Sequence, residues 1–374
     1  MLIFDGDYPM VAAFGLNVDI TASIEESRAT EPVGLAGEDL SDIRELIATL
    51  PEMRRSRVFA ALVKIGARIY RPPGPLPGHR MAAQAYADAR GQLAFYEALA
   101  RQGEIRIIAD RASWATHLEE WERFDAGHTA DAAPAAPVPI GAIVGMEGAD
   151  PILDPQHLRD WYELGVRVVS LTHYGISTYA HGTGTGTEGG LRNGANDLLD
   201  LMGELGIALD VTHASDRSML EATDRYDGPL LASHQGCRAL VPGERQFSDE
   251  MLRRVIEREG VIGVPIDTWM LYRPGVDWTR VTRQRPFSKD TVTLDDLVDH
   301  IDHICQLAGH SRCAAIGGDT DGQGGSQGAP KEIDTVADFP RIGERLADRG
   351  YGDDDVELIM YRNWVRLFDE VLPG

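Results

Sequence analysis

A chain of 374 residues is long enough for two average domains or for one large α/β barrel, so length alone leaves both open. Its 43% hydrophobic and 25% charged residues suit a globular protein with a sizeable core. The net charge of -23 argues against a nucleic-acid partner, because phosphate binding needs clustered Lys and Arg. Three cysteines, Cys237, Cys305 and Cys313, show no paired spacing and fit a reducing compartment. The opening "MLIF" has no basic leader, and no run approaches the roughly 18 apolar residues of a membrane span. The expectation is a cytoplasmic protein with no membrane partner.

Taken in chain order, the first apolar run is "MLIF" (1–4), which leads into Asp5-Gly6-Asp7-Tyr8-Pro9. A long connection (8–57) follows and reads as loop elaboration. "VFAALVKIG" (58–66) is the second run, and an amphipathic helical stretch (80–102) separates it from the third, "IGAIVGME" (140–147). Between them "EIRIIAD" (104–110) suggests an extra strand, and the Ala/Pro-rich 131–139 suggests a flexible surface loop. "VRVVSLTH" (166–173), "IALDVTH" (207–213), "PLLASH" (229–234), "GVIGVPID" (260–267) and "CAAIGGD" (313–319) complete the series. Helical segments at 196–206, 215–226, 248–260 and 293–309 lie between the later runs, with more near 335–349 and 353–371; Ser248 marks a helix start without a full capping box. Continuous apolar runs suit strands buried on both faces, as in parallel sheets. Eight strand–helix alternations without a break in composition predict a single (β/α)8 barrel of the TIM type spanning 1–374. A doubly wound sheet is the alternative, but no topological switch point is evident.

The residues at the carboxyl ends of the runs are Asp7, Lys64, Glu147, His173, His213, His234, Asp267 and Asp319. In (β/α)8 enzymes those ends and the loops after them form the active site. All but Lys64 are types that bind metal or move protons. Each alone is equally compatible with a strand cap or a satisfied core residue; converging on one mouth, they point to a hydrolase. His213 and His234 end consecutive runs, and neighbouring strands lie about 5 Å apart. Two imidazoles with one carboxylate, Glu147 being the natural candidate, match a catalytic zinc arrangement with an open position. "IGGDTDGQGG" (316–325) has neither a phosphate-loop nor an EF-hand pattern. It reads instead as glycines that let the backbone approach the site while Asp319 points into it and Asp321 fixes the turn. "GTGTGTEGG" (182–190) is either a lid over the mouth or a plain surface loop.

"VGMEG", "GVRVVSLTH", "DVTHAS", "SHQGCRALVPGERQFSDE" and "GGDTDG", in this order, resemble the renal (membrane) dipeptidase family of zinc peptidases. The resemblance runs from about residue 140 to 370 and touches "FDGD" at the start. It implies a (β/α)8 barrel that hydrolyses dipeptides, often with a D-residue second, using two bridged zinc ions. Carried over by motif, Glu147 is similar to the bridging carboxylate, and His213 and His234 to ligands of one metal. His173 resembles the residue that polarises the scissile carbonyl, Arg245 the one that binds the substrate carboxylate, and Asp319 the acid/base. Arginine offers a bidentate fork to a carboxylate, although "GERQFSDE" also suits a surface ion pair.

The first strand departs from the family, which ends it in Asp-Gly-His-x-Asp. Here the His position is Asp7 and the Asp position is Pro9. A changed ligand and a lost one weaken a site. The expectation is one zinc ion on Glu147, His213 and His234, a second weak or absent, and Asp7 at most a weak ligand. The leading function is a dipeptidase-like hydrolase; the alternatives are hydrolysis of another small amide, an N-acyl amino acid or a lactone, or a non-catalytic small-molecule binder. A homodimer is expected by analogy with soluble barrels.

Overall fold

The structure, a computed structural model, describes residues 1–8, 10, 15, 18–29, 46–127, 138–280, 287–320 and 325–374. Its strands are β1 (Ile3–Tyr8), β2 (Val58–Ile65), β3 (Ile105–Ile107), β4 (Ile140–Glu147), β5 (Val166–Ser170), β6 (Ala208–Asp210), β7 (Leu230–Ala232), β8 (Val261–Pro265) and β9 (Ala314–Gly318). Every pairing is parallel, in the order β1-β2-β4-β5-β6-β7-β8-β9, with β3 attached to β4 outside that path. β9 returns beside β1, where the Asp319 N–H donates to the Asp7 carbonyl at 2.7 Å. The eight predicted runs are thus the eight staves of a nearly closed barrel, and "EIRIIAD" supplies the extra strand.

The apolar character of the runs follows from this closure. β1 and β2 are buried at every position because one face looks into the barrel and the other meets the outer helices. Near the starts of β1 and β2, Phe4 and Phe59 pack with Trp114, Trp364 and Phe368; Phe4 lies 6.0 Å from Phe59 and 5.4 Å from Phe368 between ring centroids. Trp364 donates its indole N–H to the Ile316 carbonyl of β9 at 2.9 Å, fastening the C-terminal helix Asn363–Val371 to the barrel. The helices between strands start where the sequence supplies caps. Ser215 and Ser248 accept from the N–H groups of Ser218 and Met251, and Thr293 with Asp296 forms a capping box.

Two expectations change. The first connection holds helices Ile24–Ala29 and Leu50–Ser56, so it is only partly loop; the latter has a Thr49 cap and a proline in its first turn, a start signal that the charged surroundings obscured. β5, β6 and β7 are also shorter than their apolar runs, which places His173, His213 and His234 in the loops beyond the strands. Pro9, Asp321 and most of the 131–139 segment (131–137) lie outside the described residues. Among the described residues, no helix is long and apolar enough to cross a membrane.

Candidate metal centre

The carboxyl ends of the strands bring the sequence-predicted residues to one mouth. Glu147 is the last residue of β4, and His213 and His234 follow β6 and β7 by a few residues. Nε2 of His213 lies 3.0 Å from Nε2 of His234, and the two stand 3.4 and 3.6 Å from Oε1 of Glu147. His173 sits beside them, its Nε2 3.8 Å from the other oxygen of Glu147 and its ring 4.2 Å from that of His213. On the far side of the His234 ring, Nδ1 is 3.0 Å from the Ser233 hydroxyl and 3.3 Å from Oδ1 of Asp7. Asp7, His234 and Asp319 form a second group whose ligand atoms lie within 4.8 Å of one another. Arg245, only 1% exposed, is inside the mouth and not on the surface. It donates to Oε1 of Gln235 (2.8 Å) and to the His234 carbonyl (3.0 Å), while its Nε–H has no partner among the described residues. Asp267 is spent otherwise: it caps helix Thr268–Leu271 by accepting the Trp269 N–H.

Backbone irregularity aims these groups. β1 slips register between Asp5 and Tyr8, a bulge-like break at the residue that carries Asp7. His213 and Asp319 both adopt left-handed backbone, φ 65° and 60°. For residues with a Cβ this costs about 1–3 kcal/mol each, and such strain concentrates at functional sites. Gly318 (φ 51°) has no substitute, since a Cβ there would lie 1.9 Å from the Asp5 carboxylate. The glycine-rich 182–190 segment is pinned at its start: the Gly182 N–H donates to the Gly175 carbonyl and the Thr183 N–H to the His213 carbonyl.

Burial, together with neighbouring cations, holds His173 and His213 well below the usual histidine range, so both are neutral and keep a free ring lone pair. Burial also opposes charge on His234, but the Asp7 and Asp319 carboxylates outweigh it and raise its pKa. The Glu147 carboxyl is lowered despite burial by His173, Lys64 and His234. Burial, reinforced by Asp267, Asp7 and Glu147 against the pull of His234, pushes Asp319 up to about 7.

The donor set fits a divalent ion. Around a tetrahedral ion with Zn–N near 2.0–2.1 Å, neighbouring ligand atoms stand about 3.3 Å apart. Glu147, His213 and His234 show edges of 3.0, 3.4 and 3.6 Å. Two imidazoles face one another nitrogen to nitrogen, and Nδ1 of His213 has no partner among the described residues. Such an arrangement is adverse for neutral rings unless a proton or a cation lies between them.

Several residues at this site carry no role in the sequence reading. Lys64 reaches across the barrel, its Nζ 2.8 Å from Oδ2 of Asp210, 3.0 Å from the Ser233 hydroxyl and 3.1 Å from Oδ1 of Asp7. Tyr174 packs edge-on against His213 at 4.5 Å and stacks on Trp278, which lines a cavity of about 850 Å³ beside the mouth. Arg68 adds a cation that interacts electrostatically with Glu147. A charged residue inside an apolar run, as in "ALVKIG" and "IALDVTH", was the available signal, because a buried charge requires a partner.

Residues 114–372 match the family model described as membrane dipeptidase (Peptidase family M19). The chain belongs to that family. An uncharacterised dipeptidase of Schizosaccharomyces pombe is 29% identical over 232 residues, covering 61% of this chain and 53% of the relative. The chain spans about half the length of the curated relatives it matches first. A metallopeptidase from Rhodobacter sphaeroides, solved with a phosphinate mimic of the dipeptide L-Ala-D-Ala, superposes with a TM-score of 0.74 at 20% identity over 99% of both chains. The crystal structure of the dipeptidase AC, a metallo peptidase of family M19, superposes with a TM-score of 0.73 at 21% identity, covering 100% of this chain and 99% of that one. At these identities the superpositions establish the shared barrel.

Proposed function

We propose that the chain is a metal-dependent hydrolase of dipeptides, with a D-residue accepted at the second position. Membership of the membrane dipeptidase family supports the reaction class, and the dipeptide mimic bound by the Rhodobacter sphaeroides protein suggests the ligand. The carrying observation is the convergence of Glu147, His213 and His234 beside Asp319 and a buried Arg245. In this reading Glu147, His213 and His234 hold one zinc ion. When bound, such an ion supplies Lewis acidity in a largely buried site.

The chain's own residues do the rest. Asp319, with a pKa of about 7, is suited to take a proton from water and return it to the leaving amine. His173 offers an N–H toward the scissile carbonyl oxygen as charge develops there. Arg245 is held by Gln235 and the His234 carbonyl with its Nε–H unused, which suits it to a substrate carboxylate entering the mouth. Three free, buried cysteines support a cytoplasmic location, and the reading includes a homodimer and no nucleic-acid partner.

The Lys64–Asp7 pairing favours a second reading, in which the same centre hydrolyses another small amide, an N-acyl amino acid or a lactone. A panel of L,L- and L,D-dipeptides assayed beside their N-acetyl and C-amide forms separates the two. Turnover of free dipeptides that is lost on C-amidation, abolished by chelator dialysis and restored by Zn²⁺ is expected. Activity on the acylated forms alone would replace the dipeptidase reading with the second one, and inactivity on every substrate would leave a binder.

A further inference from the structure

The two metal-capable groups in the mouth share a residue, and that residue has already been spent. His234 faces Glu147 and His213 with Nε2, and only Nδ1 is left for Asp7 and Asp319. Without His234 the second group is two carboxylates, and one of them is engaged. An ammonium has three N–H donors. On Lys64 two of them are donated to Oδ2 of Asp210 and the Ser233 hydroxyl, at 2.8 and 3.0 Å. The ammonium also forms an ion pair with Oδ1 of Asp7 at 3.1 Å, an oxygen that accepts no hydrogen bond among the described residues. Lys64 is 2% exposed, Asp7 and Asp210 1% each. Asp210 is itself fixed, its other oxygen accepting the N–H groups of Thr212 (3.0 Å) and Ser233 (3.1 Å). The cation is therefore built into the barrel between β2 and β6.

The geometry points to Lys64 as the resident second cation of this mouth, standing where a second divalent ion would sit. With that place taken, Asp7 is a positioning residue and not a ligand. One oxygen pairs with the Lys64 ammonium and stands 3.3 Å from Nδ1 of His234, beside the Ser233 hydroxyl at 3.0 Å; the carboxylate's charge on that side keeps the proton on Nδ1 and the Nε2 lone pair on the metal side. Carboxylates behind metal-bound histidines fix the ring in this way, and their loss costs about 10–100-fold in metal affinity. A divalent ion on the same Asp7 oxygen would sit within a few ångströms of the ammonium, a like-charge contact that a buried site makes expensive. This inference rests on the metal reading above and specifies its count.

Metal content separates the two. The full-length chain, stripped of metal, is titrated calorimetrically with Zn²⁺, and its content after gel filtration is read by plasma mass spectrometry, with Co²⁺ spectra in parallel. Wild type is expected to retain one ion per chain; two tightly held ions overturn the assignment. Asp7→Asn is expected to retain one ion, bound about 10–100-fold more weakly, with the Co²⁺ band intensities of wild type. An unchanged affinity, or a fall from two ions to one, overturns it. Lys64→Met, confirmed as folded by circular dichroism, is expected to take up a second, weaker ion. A folded variant that still takes one contradicts the role given to Lys64, and if it does not fold, wild type and Asp7→Asn decide. No uptake by wild type removes the metal centre itself, and this inference falls with it.

Discussion

The two edges of the His234 ring face opposite kinds of environment. At Nε2, imidazole and carboxylate lone pairs converge, with the Arg245 guanidinium 3.5 Å from Nε2 of His213. At Nδ1, carboxylates and a hydroxyl converge too, but the ammonium of Lys64 is already there. Buried carboxylates without a cation are costly, and a lysine on a facing strand supplies one at no cost in metal dependence. An imidazole that can stand neutral, as His213 does, makes no such demand on the fold and keeps its lone pair for a borrowed ion. One side of the mouth is complete without a ligand, and the other is built for one.

The sharpest way to break this contrast is to remove a ligand on the Nε2 side. His213→Ala is expected to drop metal content to near zero and to lower kcat/KM by about 10³-fold or more, since Lewis-acid stabilisation contributes several kcal/mol. A variant that keeps both metal and turnover would move the centre elsewhere. Next in size is Asp319→Asn, expected to reduce kcat by about 10²–10⁴-fold while metal content stays at the wild-type value. Loss of metal in this variant would make Asp319 a ligand and give the Nδ1 side a cation of its own.

A third buried histidine, far from the mouth, calibrates the comparison. His117 is fully buried in the aromatic cluster, with Nε2 2.9 Å from the Phe59 carbonyl, and burial lowers its pKa from 6.5 to about 4. The fold thus favours its neutral form. Its contribution is complete above pH 6.5 and is lost as pH falls toward 4, about 3 kcal/mol at most. Denaturant midpoints measured between pH 7 and pH 4 should fall accordingly, and His117→Gln should flatten that slope. An equally steep slope in the variant would assign the acid sensitivity to other groups, the mouth first among them.

The barrel could be read from the sequence because each stave is an apolar run and a barrel strand is buried on both faces, as β1 and β2 show. His213 and His234 were found for a related reason: each closes a run, and run ends map to one rim whatever the detailed register. Lys64 was visible as a strand-end residue but not as a cation with partners. Its contact with Asp210 joins residues 146 apart across the barrel interior and exists only once the sheet has closed. Arg245 was reached through its motif and not through its local composition, because its charged stretch suits a surface ion pair equally well until the chain folds it into the mouth. The helix Leu50–Ser56 escaped because its stabilisation comes from burial against the barrel, where Leu50 and Met53 are almost wholly enclosed, more than from its own short sequence.

The contrast across His234 is tested most directly by a crystal structure of the zinc-loaded chain, with anomalous scattering recorded at the zinc edge. One anomalous peak is expected, bounded by Glu147, His213 and His234, with the Lys64 side chain ordered against Asp7 and Asp210. A second peak between Asp7 and Asp319, with the ammonium displaced from Asp7, would contradict it.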